Sequence, residues 1–139
     1  MLLNSNKDGS STKVFKSKIK NKCPTYALIK TTDGIKFGGY ATQLWTEGEI
    51  KDNDAFVFSL DNKKKYEIVK PEKALGFGID SWWGFGFSDN AIVIIDKCTS
   101  SKGNWVDNKT YNIPKEDELN GGKGKYFMVK SFEIYLVEY

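Results

Sequence analysis

This 139-residue chain contains no histidine, and carboxylates and thiols are among the side chains that could carry catalysis in its place. Without an imidazole, the Ser-His-Asp and Cys-His nucleophile pairs cannot form, and the commonest general base is missing. Three aspartates, Asp80, Asp89 and Asp96, could gather at one rim as an acid and base pair. Acids at strand ends are ordinarily solvated turn residues, so we expect no such pair. The sequence therefore predicts a protein that has no catalytic residue, needs no cofactor and is not an enzyme.

The two cysteines, Cys23 and Cys98, stand far apart in the sequence. Two thiols cannot complete a four-ligand zinc site, and histidine, the usual nitrogen ligand, is absent. We therefore predict no metal site and expect two reduced, partly buried thiols, as is usual inside cells. The alternative is a redox pair, which requires the two Cα atoms to lie within about 7 Å of each other.

The positive charge of the chain comes entirely from its 21 lysines, and the formal net charge is +3. The bidentate guanidinium group that reads guanine or phosphate is absent, so we expect no specific nucleic-acid binding. A basic cluster near the N-terminus comprises Lys13, Lys16, Lys18, Lys20 and Lys22. It could attract an anionic membrane at about 1 kcal/mol per lysine. A solvated helix face is the commoner origin of such a run.

The length of the chain fits one domain, for which about 100–150 residues is usual, and we place that domain at residues 1–139. No apolar run approaches the ~20 residues that a membrane-spanning helix needs, so we expect no transmembrane segment. The opening residues MLLNSNKDGSS lack the basic start and long apolar stretch of a secretory signal. We therefore expect an intracellular, cytoplasmic protein.

The apolar pattern predicts few helices and many short strands. A helix is predicted at residues 9–19, because Ser11 or Thr12 can cap it and Phe15 and Ile19 have i,i+4 spacing. The predicted strands are residues 26–31, 35–41, 54–60, 66–69, 73–79, 91–95 and 126–139, the last as one strand or a bent pair, with a further short strand at 110–113. An Asp-Gly turn joins the first two as a hairpin. Short strands joined by turns favour a mostly β fold, a two-sheet antiparallel β-sandwich with short flanking helices.

Two adjacent tryptophans, Trp82 and Trp83, lie in a glycine-rich stretch. Neighbours in a strand point to opposite faces, so one ring could be buried and the other exposed. An exposed tryptophan on a β-sandwich could stack on a sugar ring or anchor a protein partner. The commoner arrangement has one or both rings capping the core from a loop.

Several motifs occur in the order found in one known family. The first are Leu2-Leu3, Asp8-Gly9, Thr25 with Leu28-Ile29, Phe37-Gly38-Gly39-Tyr40 and Trp45. They are followed by Asp54 with Ala55-Phe56-Val57-Phe58-Ser59-Leu60, Gly84-Phe85-Gly86, Val129-Lys130 and Glu133-Ile134-Tyr135. Over essentially its whole length the chain resembles the TLDc domain, whose family includes the oxidation-resistance proteins. It starts at the leucine pair, so we expect a TLDc domain without the helical part that commonly precedes it, and Trp82-Trp83 replace a proline-containing pattern.

The resemblance implies a β-sandwich with flanking helices and a structural role for the Phe37-to-Tyr40 motif. Its two glycines would lie where a neighbouring backbone or large ring leaves no space for a Cβ atom. The rings of Tyr40, Trp45, Phe56 and Phe58 would then fill the volume, and Ser59 completes this structural motif.

The resemblance also implies a function. Members of the family are implicated in protecting cells from oxidative damage and in binding the vacuolar proton-pumping ATPase, whose peripheral sector they can help to separate. No established active site comes with the domain, so a non-enzymatic module with a protein partner is implied. The candidate partner-binding residues are Trp45, Trp82, Trp83 and Glu133. Of these, we expect Glu133 to satisfy buried backbone amides rather than to face a partner.

Three alternative functions stay open from the residues alone. Peroxide protection would require a reactive thiolate at Cys23 or Cys98. Weak contact with an anionic membrane would depend on the N-terminal lysines. A carbohydrate-binding sandwich would need an exposed Trp82 or Trp83.

Overall fold

The computed structural model describes residues 2–19, 21–46, 48–77, 83–87, 91–95, 98, 104–108, 111–115 and 117–137. Its helices are α1 (Ser5–Asp8) and α2 (Thr12–Ile19), with 3-10 turns at Pro71–Lys73 and Glu118–Asn120. Its strands are β1 (Leu3–Asn4), β2 (Thr25–Thr31), β3 (Lys36–Ala41), β4 (Gly48–Ile50), β5 (Phe56–Ser59), β6 (Lys64–Glu67), β7 (Leu75–Phe77), β8 (Trp83–Phe87), β9 (Ile92–Ile95), β10 (Asn104–Val106), β11 (Tyr126–Phe127) and β12 (Val129–Leu136).

These strands form two antiparallel sheets. Sheet A has the order β1-β12-β2-β3-β5-β6, and sheet B has the order β11-β10-β9-β8-β7-β4. Rings from the two sheets meet in one core, since Phe37 lies 5.2 Å from Phe127 and Phe132 lies 5.4 Å from Phe85, between ring centroids. The predicted β-sandwich with few helices is confirmed.

The predicted hairpins form where their turn residues indicated. Gly34 takes a φ of 86° in the turn between β2 and β3, and its amide donates to the Thr31 carbonyl at 3.0 Å. Glycine adopts this left-handed conformation without the steric cost of a Cβ atom. The second hairpin joins β5 to β6, which begins at Lys64 rather than at Tyr66 because the turn closes early, at Lys63 with a φ of 54°.

The structure corrects the interpretation of the polar segment that precedes β11. Of the strand expected at residues 110–113, the described residues 111–113 show an isolated bridge between Tyr111 and Ile68. A strand that was not expected, β10, pairs with β9 and β11. It went unpredicted because it is three residues long and begins with a buried asparagine, Asn104, whose side-chain oxygen accepts from the Ile95 amide at 3.0 Å.

The closing segment is a bent pair that joins the two sheets. Strand β11 belongs to sheet B and β12 to sheet A, and Met128 lies between them. A register shift between Val129 and Ser131 follows immediately in the pairing of β12 with β2. Such an irregularity locally bends and twists a strand.

Aromatic rings dominate the core beneath α2. Phe15 of this helix stacks on Phe85 with centroids 4.2 Å apart, and Trp45 meets both rings edge-on at 5.6 and 6.0 Å. Helix α2 thus adds its apolar stripe to the space between the sheets, as the i,i+4 spacing of Phe15 and Ile19 predicted.

The glycine pair in β3 marks two close approaches, as expected. A Cβ atom on Gly38 would overlap the carbonyl oxygen of Ala27, and one on Gly39 would lie 2.5 Å from the ring of Phe87. The rings that fill the volume differ from the expectation. Phe87 covers Gly39 inside the core, whereas Tyr40, Phe56 and Phe58 lie on the opposite face of sheet A, because alternate residues of a strand face opposite ways.

Candidate functional site

The face of sheet A that points away from sheet B is the candidate functional surface, and we call it the outer face. Along β2, Tyr26, Leu28 and Lys30 of this face are partly exposed and alternate with buried residues such as Ile29, which is 0% exposed. The outer face carries more apolar side chains than an ordinary solvated sheet face does, and such patches commonly mark interaction sites.

One row of aromatic side chains crosses four strands of the outer face. The pairing register aligns Tyr135, Tyr26, Tyr40 and Phe56, a set we call the aromatic row. Tyr135 stacks on Tyr26 with centroids 4.8 Å apart, and Tyr40 stacks on Phe56 at 5.0 Å. All four residues remain partly exposed, so the row offers the sides and edges of its rings to a binding partner.

A recess of about 320 Å³ lies beside the aromatic row. We call it the lysine groove, and its lining residues are Leu28, Lys30, Lys36, Leu60, Ser131 and Glu133. The register explains this set, because Ser131, Lys30 and Lys36 are cross-strand neighbours. In the adjacent row Glu133 pairs with Leu28, and Leu28 pairs in turn with Gly38, which has no side chain.

The charged groups of the outer face have different partners. The Tyr135 hydroxyl donates to the Glu133 carboxylate, and this hydrogen bond raises the pKa of Tyr135 to about 12. At the other end of the sheet, Lys65 forms an ion pair with Glu67 at 3.0 Å, and its ammonium group lies 4.6 Å from the centre of the Phe56 ring. No described carboxylate forms an ion pair with Lys30 or Lys36.

Trp45, predicted as a candidate contact for a partner, is instead a core residue. Only 8% of it is exposed, and its indole nitrogen donates to the Thr25 hydroxyl at 3.0 Å. Its ring also meets Phe87 edge-on at 5.5 Å. A tryptophan whose ring is packed and whose N–H is satisfied has nothing left to offer a partner.

The other predicted contacts are placed differently. Glu133 lines the lysine groove and is hydrogen-bonded to Tyr135, so the expectation that it binds buried backbone amides is wrong. Trp83 is the first residue of β8 and pairs with Ile95, but its side chain lies outside what the structure describes, as does the whole of Trp82. Of the predicted contacts whose side chains are described, Trp45 lies in the core and Glu133 on the outer face, so the structure does not bring these two together.

The residues predicted as the structural motif are split between the two faces of sheet A. Phe37 is fully buried, and Ser59 is buried with its hydroxyl accepting from the Asn62 amide at 3.1 Å. Phe58 lies on the outer face next to Gly38, where a Cβ atom on the glycine would approach the tip of the ring at 2.8 Å.

Thiols and carboxylates show structural roles where they are described. Cys23 is exposed, whereas Cys98 is fully buried. The buried carboxylate of Asp52 accepts from the Thr42 amide and hydroxyl, both at 2.6 Å, and so fastens the loop that precedes β4. The three aspartates considered for catalysis, Asp80, Asp89 and Asp96, lie outside the described residues.

The buried tyrosine Tyr111 lies in the same region of the protein as Asp52. Its hydroxyl donates to the Ala74 carbonyl at 2.7 Å, and burial raises the pKa of Tyr111, with a further contribution from the charge of Asp52. In the part of the chain that the structure describes, no group of three His, Cys, Asp or Glu side chains could hold a metal ion, and no helix is long and apolar enough to cross a membrane.

The N-terminal lysines belong mainly to α2. Lys13, Lys16 and Lys18 are exposed along this helix, and Lys18 lies 3.8 Å from a carboxylate oxygen of Asp8. Lys22 is also exposed, whereas Lys20 lies outside the described residues. The helix therefore turns its basic side chains to solvent and its apolar stripe to the core.

Sequence reasoning missed the residues that make the outer face distinctive. They are Tyr26, Leu28, Lys30, Lys36, Leu60, Ser131 and Tyr135. The alternation of β2 held a signal, since a strand that places Tyr26 and Leu28 on its polar side departs from simple alternation of apolar and polar residues. Their grouping depends on the pairing of β12 with β2, which joins distant parts of the sequence.

Comparison with known proteins gives one finding that covers the chain. Residues 1–138 match the family model described as the TLDc domain. No curated protein matches the chain.

Proposed function

Because the chain belongs to the TLDc domain family, we propose that it is a non-enzymatic protein-interaction module. The observation that carries the proposal is the outer face of sheet A, where four stacked rings and a groove are left partly exposed. Interfaces are enriched in aromatic side chains because these bury a large area with few rotatable bonds. The lack of histidine in the sequence agrees with a binding role.

The partner we propose is the peripheral sector of the vacuolar proton-pumping ATPase. The proposal draws on the resemblance of the motifs to proteins that bind this ATPase and protect cells from oxidative damage. It places the protein in the cytoplasm, at the surface of acidic organelles, where that sector is exposed.

Interferometry with the purified chain and the isolated peripheral sector tests this proposal. We expect saturable binding in the micromolar range or tighter, which corresponds to about −8 kcal/mol or better. A Tyr26→Ala variant should bind more weakly because it removes half of a stacked pair from the aromatic row, whereas Lys22→Ala, on the exposed segment after α2, is the matched surface control. Absence of binding by the natural chain would contradict the proposed partner.

A second candidate function is contact with an anionic membrane through α2. The observation that favours it is the exposure of Lys13, Lys16, Lys18 and Lys22 to solvent. Flotation with phosphatidylserine vesicles should then show binding that weakens with salt and with neutralisation of these lysines. Vesicle binding that ignores both changes contradicts this candidate.

A further inference from the structure

We propose that the lysine groove binds an acidic segment of a partner protein that also carries an aliphatic side chain. In this arrangement Lys30 and Lys36 pair with the carboxylates of the segment, and Leu28 and Leu60 receive the aliphatic side chain. The inference rests on the proposed interaction function, since it names the surface and the chemistry of the partner.

Two lysines of the groove lie where their positive charges repel each other. Lys30 and Lys36 are direct cross-strand partners in the pairing of β2 with β3. Like charges directly opposite each other destabilise a sheet. No ion pair relieves them among the described residues, in contrast to Lys65, which is paired with Glu67 at 3.0 Å. A carboxylate from a partner would relieve the repulsion between the two ammonium groups. Binding would therefore remove a destabilising interaction of the free protein.

The carboxylates that lie nearest along the sheet already have partners. Asp61 accepts a hydrogen bond from the backbone amide of Lys36 at 2.8 Å, and Glu133 accepts from the Tyr135 hydroxyl. Both are engaged by other groups, and neither forms an ion pair with Lys30 or Lys36. The groove therefore has a positive end at the two lysines and a hydrogen-bonded carboxylate on its opposite wall.

Gly38 adjoins residues that line the recess. It leaves its place in the row that runs from Glu133 through Leu28 without a side chain, and the ring of Phe58 leans over it. The volume of the recess, about 320 Å³, lies at the lower end of the range for small-ligand pockets, which is about 300–1,000 Å³. It accommodates one or two side chains rather than a large cofactor.

The apolar side chains that line the groove favour a partner segment that carries an aliphatic side chain. Leu60 is 47% exposed and Leu28 is partly exposed, so both leave apolar surface in water. An aliphatic side chain placed between them would remove that surface from water. The aromatic row continues the apolar surface along the sheet, which favours a protein segment longer than a single residue.

The charges of the whole face favour a protein over a bilayer. Glu67 and Glu133 occupy the same face as the lysines and would be pressed against anionic headgroups if the sheet lay flat on a membrane. Two cations that line a groove suit a protruding acidic side chain better than a planar surface.

Selection from a displayed library of random twelve-residue peptides tests the inference without assuming the identity of the partner. Enriched peptides should carry Asp or Glu close to Leu, Ile, Val or Met. Their affinities are then measured by fluorescence polarisation for the natural chain, for Lys30→Glu/Lys36→Glu, and for the matched charge reversal Lys13→Glu/Lys22→Glu. We expect roughly a tenfold or greater loss in the groove variant and less than about threefold in the control.

Two further measurements distinguish a loss of peptide binding from a loss of folding. Lys30→Gln/Lys36→Gln removes the repulsion and should remain at least as resistant to urea as the natural chain while binding the acidic peptides more weakly. Peptides whose acids are changed to lysine should regain binding to Lys30→Glu/Lys36→Glu. Such a recovery requires a folded groove.

Several outcomes would overturn the inference. These are enrichment of basic or uncharged peptides, equal losses in the groove and control variants, and displacement of the peptides by phosphatidylserine vesicles. ATPase binding that survives the groove variant contradicts this inference and leaves the proposed function intact. A failure of the natural chain to bind the ATPase contradicts the proposed partner alone, because the peptide selection does not use that assembly.

Discussion

The two faces of sheet A use aromatic rings in different ways. On the inner face, Phe37 and Phe132 are almost fully buried and meet rings from sheet B, at centroid distances of 5.2 and 5.4 Å. On the outer face, Tyr26 and Tyr40 stack on rings from neighbouring strands of the same sheet and remain partly exposed. The inner rings join the two layers of the sandwich, whereas the outer rings contribute little to that joining. The difference points to a use for the outer rings beyond holding the layers together.

Truncation of one ring on the inner side of sheet A and one on its outer side should produce the largest difference in stability. Phe87→Ala should lower the free energy of unfolding by about 3–5 kcal/mol, because it opens a cavity next to Gly39 in the core. Phe56→Ala on the outer face should cost about 1 kcal/mol or less, the scale of a cross-strand pair. Urea denaturation measures both values. Equal losses would show that the outer face is as important to stability as the core.

The glycine pair gives a second, smaller test, with Gly39 on the inner face and Gly38 on the outer face. Gly39→Ala should destabilise the protein by about 1–3 kcal/mol, because its Cβ atom would lie 2.5 Å from the Phe87 ring. Gly38→Ala should also be destabilising, since the obstacle there is the Ala27 carbonyl and backbone cannot rotate away. Thermal and urea unfolding would measure these costs. Full stability of Gly39→Ala would mean that Phe87 can move aside.

The pKa values of two tyrosines allow a further comparison of the two faces of sheet A. The pKa of Tyr66, which faces the core, is raised to about 12 mainly by burial, and the pKa of Tyr135 on the outer face is raised to about 12 mainly by its hydrogen bond to Glu133. Glu133→Gln should therefore lower the pKa of Tyr135 and leave that of Tyr66 unchanged. Titration of phenolate absorbance, with Tyr135→Phe used to assign the signal, measures both. Equal effects on both tyrosines would contradict this assignment of causes.

The same shifts predict how stability depends on pH. In the folded protein the pKa of each tyrosine lies above the ordinary value of 10.0. Their contribution to the free energy of unfolding is therefore complete below pH 10 and is lost as the pH rises towards 12. Tyr135→Phe should lose less stability than the natural chain over this range. Urea midpoints at pH 9 to 12 are the measurement, and parallel curves for the two proteins would contradict the prediction.

The cysteines should show the smallest functional effect. A thiol reagent should modify Cys23 quickly and Cys98 only after unfolding, because Cys23 is exposed and Cys98 is 0% exposed. Replacement of both by serine should leave peroxide consumption unchanged, as expected of a binding module. Loss of peroxide consumption in the double variant, with the fold retained, would favour direct thiol chemistry instead.

Local patterns predicted much of sheet A and little of the functional surface. The turn at Gly34 and the spacing of Phe15 and Ile19 are local signals, and both elements form, with the helix predicted at residues 9–19 beginning at Thr12. Strands β1, β4, β8 and β10 were not predicted, and in β4 and β10 three residues are too few to show periodicity. In such short strands, pairing with neighbours decides the structure more than intrinsic preference does.

The orientation of β5 shows why the outer face could not be predicted. Its two sides are both apolar, with Phe56 and Phe58 on one and Ala55 and Val57 on the other. The family resemblance implied that the phenylalanines fill the inner volume, yet the smaller residues face the core, where Phe87 from sheet B fills the space over Gly39. The choice depends on a residue in the opposite sheet, which no local pattern contains.

The position of β12 in sheet A has a consequence for synthesis of the protein. This strand lies between β1 and β2, where Ile134 pairs with both Leu3 and Ala27. The hairpin of β2 and β3 can form as soon as it leaves the ribosome, but β1 must wait for β12, which follows the other described strands in the sequence. Contacts so distant in sequence form slowly, because a long loop must close first. The nascent chain therefore exposes one edge of β2 until β12 has been made, the period when protection by chaperones matters most.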